Sequence, residues 1–342
     1  MHLTIRADGG SEIGYGHLVR TAAIAREFLD EDHTVTYATT TPETAEKVCP
    51  GEVEVTPLAS RSNPSTFLEW IQLNQPDAVL IDAYPADTEY QQRIREHAPL
   101  AVYIDDARYP ICADILINGN LYASNLTYDF VGNPPKQLLG PDFVPLREEV
   151  RLLADQDPPW RDSPRRALIT MGGSDIQNRT PTVIRSLEEF NLHVDAIVGP
   201  GFSEQQERAV RAAAEAVTPD VSVSRDPENF VERMFQADIA VSTASSTTYE
   251  LLAVGTPIVF QPVAENPQMI AETLENRDMA SVIDECGGKS SFQCVIEQYA
   301  ADAAFRKIRH ERGRKLIDAN GVARIYDEII ETIGRHSSER RG

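Results

Sequence analysis

The chain has 342 residues, of which 42% are hydrophobic and 25% are charged, so the sequence predicts about two globular domains and excludes a disordered chain. It contains no apolar run of about 18 residues that could cross a membrane, and its first residues lack the apolar segment of a signal peptide, so we expect a cytoplasmic protein that does not contact a membrane. The net charge of −21, with five lysines among 32 basic residues, argues against nucleic-acid binding and is typical of a halophilic surface.

The first half of the chain alternates short apolar runs with stretches at helical spacing. The pattern predicts a helix over residues 16–29 and strands over 2–7, 33–39, 52–57, 78–82, 100–104 and 113–117. A continuous apolar run such as 78–82 is typical of a buried parallel strand. Strands that alternate with helices in this way predict a parallel, doubly wound sheet.

The alternation restarts after a polar segment, 155–164, which contains three prolines and reads as a linker. The pattern then predicts helices over 181–189, 204–217, 228–236 and 246–254, strands over 166–171, 193–198, 221–223, 238–241 and 257–261, and helical structure from about 290 to 333. We therefore expect an N-terminal α/β domain over 1–154, a C-terminal α/β domain over 165–320, and a final helix and tail over 321–342. Two Rossmann-like domains facing across a cleft would bind ligands at the carboxyl ends of their strands.

A glycine-rich segment follows the first predicted strand and opens the first predicted helix. Gly14 and Gly16 allow positive φ angles and a close approach of the backbone to a ligand, and the helix N-terminus favours an anion. His17, which follows them, can accept a proton from water near neutral pH. Capping or packing of the loop explains His17 equally well. Arg6 and Asp8, at the end of the strand, are further candidates for substrate binding, although such arginines more often form structural ion pairs.

Two segments of the second half are candidate phosphate sites. Gly173 lies in a Gly-Gly-Ser-Asp turn after a predicted strand, which suits an anion nest or an ordinary strand-to-helix turn. Ser246 and Thr247 open a predicted helix, where hydroxyls and N–H groups could hold a diphosphate. Glu250, one turn further on, could accept hydroxyls of a ribose, or could complete a capping box.

The remaining polar candidates carry less information. Asn266 follows the strand at 257–261 and could bind a sugar, although a turn explains it equally well. The four cysteines form no C-x-x-C pair and have no histidine at metal-ligand spacing, so we expect buried thiols and no metal site.

The ordered set of motifs resembles a known family, the UDP-2,4-diacetamido-2,4,6-trideoxy-β-L-altropyranose hydrolases (PseG) of pseudaminic acid biosynthesis. The resemblance runs from residue 5 to about 270, and it implies the two-domain glycosyltransferase-B fold shared with the related glycosyltransferase MurG. Its motifs are Ile5-Arg6-Ala7-Asp8, Ile13-Gly14-x-Gly16-His17-x-x-Arg20, Leu80-Ile81-Asp82-x-Tyr84, Tyr103-Ile104-Asp105-Asp106, Leu139-Gly140-Pro141-Asp142-Phe143-x-x-Leu146-Arg147, Gly172-Gly173-Ser174-Asp175, Ser246-Thr247-x-Tyr249-Glu250-Leu251-x-Ala253-x-Gly255-x-Pro257, and Asn266.

The resemblance also implies roles for individual residues. The general base would be His17, and the other active-site side chains would be Tyr84 and Asn266. UDP would bind to the second domain, with its diphosphate at Ser246 and Thr247 and its ribose at Glu250. The reaction would be attack of water at the anomeric carbon, with no cofactor and no required metal.

Two departures from the family pattern affect the substrate more than the fold. Ala244-Ser245 stands where the family has Gly-Gly, and Asn266-Pro267-Gln268 stands where it has Asn-Gln. Within the same fold, a glycosyltransferase that uses a UDP-sugar donor is an alternative. A non-catalytic nucleotide-sugar-binding protein is an alternative from another class. The sequence does not fix the sugar or the oligomeric state.

Overall fold

The computed structural model describes residues 1–10, 13–262, 267–284 and 286–339 of the chain. The chain divides into two compact units. Unit 1 comprises Met1–Arg147 with Ala319–Gly342, and unit 2 comprises Glu148–Asp318. The segment 148–154, which the sequence analysis placed in the N-terminal domain, therefore groups with unit 2, and the end of the chain groups with unit 1.

The described part of unit 1 contains one parallel sheet. Its strands are β1 (His2–Ala7), β2 (Thr34–Thr39), β3 (Glu54–Pro57), β4 (Ala78–Asp82), β5 (Leu100–Tyr103), β6 (Ile115–Asn118) and β7 (Lys136–Leu139). They lie in the order β3-β2-β1-β4-β5-β6-β7. Because β1 and β4 are parallel neighbours, with Ala7 in register with Asp82, the loops that follow these two strands leave the same edge of the sheet.

Helices cover both faces of this sheet, because successive residues of its strands point to opposite sides. The helices are α1 (Gly16–Asp30), α2 (Pro42–Val48), α3 (Ser65–Asn74) and α4 (Thr88–Arg95). Leu80 packs in a core cluster with Phe28 of α1, whereas Val79 and Ile81 pack in a second cluster with Phe67 of α3. Burial on both faces explains the continuous apolar run of β4.

Unit 2 repeats the parallel architecture in its described residues. Its strands are β8 (Arg166–Thr170), β9 (His193–Val198), β10 (Val221–Arg225), β11 (Ile239–Ser242), β12 (Ile258–Phe260) and β13 (Ala280–Val282), in the order β10-β9-β8-β11-β12-β13. Its helices are α5 (Glu148–Ala154), α6 (Thr180–Ser186), α7 (Glu204–Glu215), α8 (Phe230–Gln236), α9 (Ser246–Val254), α10 (Pro267–Asn276), α11 (Lys289–Ala301) and α12 (Ala303–Leu316). The loops after β8, β9 and β11 leave one edge of this sheet.

The helical region beyond residue 290 is broken into separate helices. Asp302 ends α11 and caps α12, because its side chain accepts a hydrogen bond from the Phe305 N–H. The last helix, α13 (Gly321–Glu339), belongs to unit 1, where the ring of Tyr326 packs against Phe28 with the centroids 4.8 Å apart.

The composition led to expectations about the cysteines and about membrane-spanning helices. Cys49 and Cys112 are buried thiols as expected, but Cys286 and Cys294 are exposed. Among the residues that the structure describes, no helix combines the length and the apolar character needed to span a bilayer.

Candidate active site

The glycine-rich loop after β1 sets the position of His17 in the first turn of α1. Gly10 and Gly14 pair across the loop through two backbone hydrogen bonds, of 3.1 and 2.8 Å. Gly14 has a φ angle of 89°, which glycine adopts without steric cost. The loop thereby delivers the start of α1 to the carboxyl edge of the sheet.

The His17 ring contacts Asp82, the last residue of β4. Nδ1 of His17 lies 2.6 Å from Oδ1 of Asp82, and the two residues are 7% and 1% exposed. The contact follows from the topology, because α1 begins after β1 and β1 is the parallel neighbour of β4. The imidazole thus forms a buried pair with a carboxylate.

Arg20, one turn after His17, joins two carboxylates. Its Nε donates to Oδ2 of Asp82 and its Nη2 to Oδ1 of Asp82, both at 2.6 Å. Its Nη1 and Nη2 donate to the two oxygens of Asp105, which follows β5, at 2.7 and 3.1 Å. The guanidinium also lies over the Tyr103 ring, 4.1 Å from its centroid. We call Arg20, Asp82 and Asp105 the Arg20 triad.

The charges of the Arg20 triad follow from burial and these ion pairs. Burial opposes ionisation of Asp82, but the charges of Arg20 and then His17 outweigh it and lower the carboxyl pKa. Burial likewise opposes ionisation of Asp105, and Arg20 again lowers the pKa. The pKa of Arg20 is raised by Asp105 and Asp82 in spite of its burial. Near neutral pH the triad therefore holds one cation and two anions.

Asp82 fixes the tautomer of the His17 ring. An ionised carboxylate only accepts hydrogen bonds, so the 2.6 Å contact requires the proton on Nδ1. Nη2 of Arg20 also lies 3.0 Å from Nδ1. With the proton on Nδ1 both groups are donors, so this contact is not a hydrogen bond. In the described part of the chain the hydrogen-bond contacts of the ring involve Nδ1 alone. Nε2 is therefore the basic nitrogen that remains for a substrate.

Tyr84 stands beside the imidazole and is held by the second carboxylate. Its hydroxyl donates to Oδ2 of Asp105 at 2.7 Å, and its ring meets the His17 ring edge-on with the centroids 4.7 Å apart. Burial and the charge of Asp105 raise the Tyr84 pKa well above that of an ordinary tyrosine. Arg108 covers the Tyr84 ring at 4.1 Å. The structure thus brings His17 and Tyr84 into contact.

Arg6 and Asp8 form a buried ion pair at the end of β1. Arg6 is 0% and Asp8 1% exposed, and Nη2 of Arg6 donates to Oδ2 of Asp8 at 2.8 Å. Asp8 also accepts a hydrogen bond from the Thr40 N–H at 2.8 Å, which ties the end of β1 to the segment after β2. Burial opposes ionisation of Asp8, but the hydrogen bond and charge of Arg6 lower its pKa to about 2. These two side chains therefore hold the base of the glycine-rich loop.

In unit 2, two glycine loops pack together at the carboxyl edge of the sheet. Gly172 and Gly173 follow β8, and Gly199 and Gly201 follow β9. The Gly201 N–H donates to the Gly173 carbonyl at 2.9 Å. A Cβ at Gly199 would lie 2.5 Å from that same carbonyl oxygen, so the close packing requires glycine there.

A hydroxyl-rich turn after β11 opens α9 at the same edge. Ser246 and Thr247 lie in the first turn of α9, where the leading N–H groups of a helix lack acceptors within it. The Thr248 N–H donates to the Ser245 carbonyl at 3.0 Å. Ser245 is the N-cap residue, but its side chain makes no capping bond. Among the described residues, the buried hydroxyl oxygens of Thr243 and Ser245 find no hydrogen-bond partner. Glu250, further along α9, is 2% exposed.

The predicted residue Asn266 lies outside the described residues. Within residues 1–10, 13–262, 267–284 and 286–339, no group of three or more His, Cys, Asp or Glu side chains is placed to hold a metal ion.

The sequence predicted Tyr84 beside His17 but assigned no role to Arg20, Asp82 and Asp105, although all three stand in the motifs that carry the resemblance. Asp82 ends the predicted strand 78–82, and Asp105 follows the predicted strand 100–104, so both lie where parallel strands present side chains to a ligand. Arg20 stands in the motif that contains His17. Thr243 and Ser245 stand three residues and one residue before Ser246, and their missing hydrogen bonds become visible only in three dimensions.

Solved structures share this architecture over nearly the whole chain. MurG of Acinetobacter baumannii covers 96% of this chain and 99% of its own, with a TM-score of 0.67 and 16% identity. The calicheamicin glycosyltransferase CalG4 covers 98% of both chains, with a TM-score of 0.68 and 18% identity. The chain has the glycosyltransferase-B fold. The predicted fold class of two Rossmann-like α/β domains is thereby confirmed.

Sequence relatives of this glycosyltransferase-B chain are distant. No protein-family model matches it. An uncharacterised protein of Methanocaldococcus jannaschii is 24% identical over 274 residues, which are 76% of this chain but only 55% of that protein. The spore coat polysaccharide biosynthesis protein SpsG of Bacillus subtilis is 23% identical over 95% of this chain and 96% of its own.

The resemblance inferred from the motifs is confirmed as a distant similarity. The UDP-2,4-diacetamido-2,4,6-trideoxy-β-L-altropyranose hydrolase of Campylobacter jejuni is 24% identical over 256 residues, which are 74% of this chain and 88% of that enzyme. The chain is therefore similar both to a hydrolase of a UDP-sugar in sequence and to glycosyltransferases in fold.

Proposed function

We propose that this protein hydrolyses a UDP-linked 2,4-diacetamido-2,4,6-trideoxyhexose to the free sugar and UDP, in the biosynthesis of a nonulosonic acid such as pseudaminic acid. The observation that carries the proposal is the His17–Asp82 pair, in which a buried carboxylate holds Nδ1 and leaves Nε2 basic. The similarity to the Campylobacter jejuni hydrolase supports the substrate class.

In the proposed reaction, Nε2 of His17 removes a proton from a water molecule. The water oxygen bonds to the anomeric carbon while the bond from that carbon to the diphosphate oxygen breaks, and its electron pair leaves with UDP. Attack opposite to UDP inverts the anomeric centre. Asp82 stabilises the imidazolium that forms, because its carboxylate lies 2.6 Å from Nδ1. Tyr84 and Asn266 orient the sugar.

Unit 2 stabilises the leaving group with preorganised neutral donors. The backbone of Gly173 and the hydroxyls and N–H groups of Ser246 and Thr247 bind the diphosphate. The hydroxyls of Thr243 and Ser245 are buried without partners among the described residues, so they are available as further donors. No metal or cofactor takes part in the proposed step.

Glu250 binds the ribose in this proposal.

The residues at the end of β1 act on the substrate through the glycine-rich loop. The buried pair of Arg6 and Asp8 holds the base of the loop, while Gly14 and Gly16 let its backbone approach the sugar. Both residues of the pair therefore support substrate binding indirectly.

A glycosyltransferase is the second candidate, and the glycosyltransferases among the structural neighbours favour it. The same base would then remove a proton from an acceptor hydroxyl instead of water. A non-catalytic nucleotide-sugar-binding protein would bind UDP but would not release sugar from a UDP-sugar.

The decisive assay follows UDP release at molar KCl without acceptor or divalent metal. UDP-linked 2,4-diacetamido-2,4,6-trideoxyhexoses are the substrates, UDP-N-acetylglucosamine is the control, and NMR identifies the sugar. His17→Gln should lose at least about 100-fold in turnover and still bind UDP, whereas His97→Gln, an exposed histidine of unit 1, should keep full activity.

The outcomes separate the candidates. Free sugar released from one diacetamido substrate supports the hydrolase. UDP binding without release, followed by transfer when alcohol acceptors are added, supports the transferase. Near-full activity of His17→Gln would show that the base is another group.

A further inference from the structure

Arg20 links the two side chains that the proposed reaction places beside the sugar. One edge of its guanidinium, Nε and Nη2, donates to both oxygens of Asp82, which holds His17. A second edge, Nη1 and Nη2, donates to both oxygens of Asp105, which accepts a hydrogen bond from the Tyr84 hydroxyl. Such bidentate contacts are geometrically specific. The relative position of His17 and Tyr84 is therefore set through one buried cation.

The same cation sets the charge that faces the imidazole. Among the described residues, the charged and titratable groups around the His17 ring are Asp82, Arg20 and, behind them, Asp105, with Tyr84 at its edge. Arg108 lies over the Tyr84 ring and is paired with Asp106. The Arg20 triad has a net charge of −1, which one imidazolium balances. Without Arg20, two buried carboxylates would face the ring.

We propose that Arg20 is a positioning residue that sets the proton affinity of His17, by cancelling one of two buried negative charges while fixing the Asp82 carboxylate against Nδ1. The catalytic consequence of this inference rests on the proposed function. The proton affinity itself needs no substrate, so the two can fail separately.

The test varies the net charge of the triad in a cycle. The triad carries −2 in Arg20→Met, 0 in Asp105→Asn and again −1 in the double variant. Titration of the folded protein by histidine NMR, with the His17 resonance identified by its loss in His17→Gln, gives the midpoint without substrate. Nη2 of Arg20 lies 3.0 Å from Nδ1 of His17, and a charge within about 4–6 Å shifts a midpoint by about one to three pH units, so Arg20→Met should raise the His17 midpoint by about that amount. Asp105→Asn should lower the midpoint, and the double variant should return near the wild type.

Arg26→Met is the matched control on α1. Arg26 pairs with the exposed carboxylates of Asp30 and Glu52, so its removal deletes the same charge from the same helix away from the triad. Its midpoint should equal that of the wild type.

The activity assay adds a readout of position. The acid limb of the pH–rate profile should follow the NMR midpoints, so the double variant should regain the wild-type limb. Its plateau rate should stay at least about tenfold low, because Asp82 has lost the guanidinium that orients it. Arg20→Lys, which keeps the charge without the bidentate geometry, should show the same low plateau on an unshifted limb.

Equal His17 titration midpoints in all folded variants would overturn the inference. A double variant that regains the full plateau rate of the pH–rate profile would overturn it as well. Where Arg20→Met does not fold, because two buried carboxylates lack their partner, Asp105→Asn decides alone, and an unchanged midpoint there refutes the proposal. Absence of hydrolysis with the expected midpoints would instead refute the proposed function.

Discussion

Replacing Asp82 by Asn tests the assignment of the base in one step. The substitution keeps the size of the side chain but removes the negative charge that lies 2.6 Å from Nδ1 of His17. An Asn amide can also donate to Nδ1, which would place the ring proton on Nε2 and block the base. Both effects act on unit 1, so they leave the UDP site that we propose on unit 2 unchanged.

The size of the effect follows from the distance. Two unit charges 2.6 Å apart attract by about 6 kcal/mol at an effective dielectric constant of 20. With about half of the proton transferred to His17 in the transition state, about 3 kcal/mol of this attraction is lost, which is a fall of about 200-fold in rate. The wrong tautomer would add to this fall and bring it towards about 10⁴-fold.

The assay compares kcat/KM for UDP release and the Kd for UDP by calorimetry. Asp77→Asn is the control, because Asp77 precedes the same strand at its opposite end and is exposed. We expect Asp82→Asn to lose at least about 100-fold in kcat/KM, with UDP affinity unchanged and Asp77→Asn fully active. A rate for Asp82→Asn within about threefold of the wild type would refute the pairing of His17 with Asp82 as the source of the base.

Ser245→Ala should weaken UDP binding about fivefold, the value of one hydrogen bond, without lowering the melting temperature, since the Ser245 hydroxyl has no partner among the described residues; equal affinity by calorimetry contradicts its role. Asp8, with a pKa of about 2 against an ordinary 3.8, stabilises the fold when ionised. Wild-type protein should therefore lose about 2 kcal/mol more than Asp8→Asn as the pH falls from 4 to 2, measured by denaturant unfolding, and parallel curves would exclude this contribution. UDP should bind more tightly in 1 M than in 0.1 M KCl, because the −21 charge repels it at low salt; the opposite trend would indicate a cationic phosphate site.

The central strands were predictable because burial on both faces leaves a strong signal. The predicted strands 2–7, 78–82 and 193–198 coincide with β1, β4 and β9. The edge strand β7 was missed because only half of its residues are apolar and two are exposed. The helices α2, α3 and α4, of seven to ten residues, were also missed. Length alone does not explain this, because α6 and α8 have seven residues each and were predicted.

The site was predictable only where a local motif marked it. His17 follows glycines that imply a loop at a helix start, and Ser246 and Thr247 open a helix after a buried strand. The partners of His17 needed the strand order, because Asp82 and Asp105 are 65 and 88 positions away and meet His17 and Arg20 only when β4 and β5 line up beside β1. The contacts of Asp82 and Asp105 with His17 and Arg20 join residues that are far apart in the sequence, so no local pattern predicted them.

The net charge of −21 constrains how an anionic substrate can be held. In unit 1, Arg6 and Arg20 are buried in ion pairs with carboxylates, so their charges are already balanced within the protein. In unit 2, the turn before α9 offers hydroxyls and helix N–H groups, which are neutral. The attraction between a diphosphate and a cationic clamp weakens as salt screens it, whereas hydrogen bonds from neutral donors at short range depend far less on ionic strength. An acidic surface and the proposed neutral phosphate site are thus compatible, because salt screens the repulsion between the protein and a diphosphate and affects hydrogen bonds from neutral donors much less.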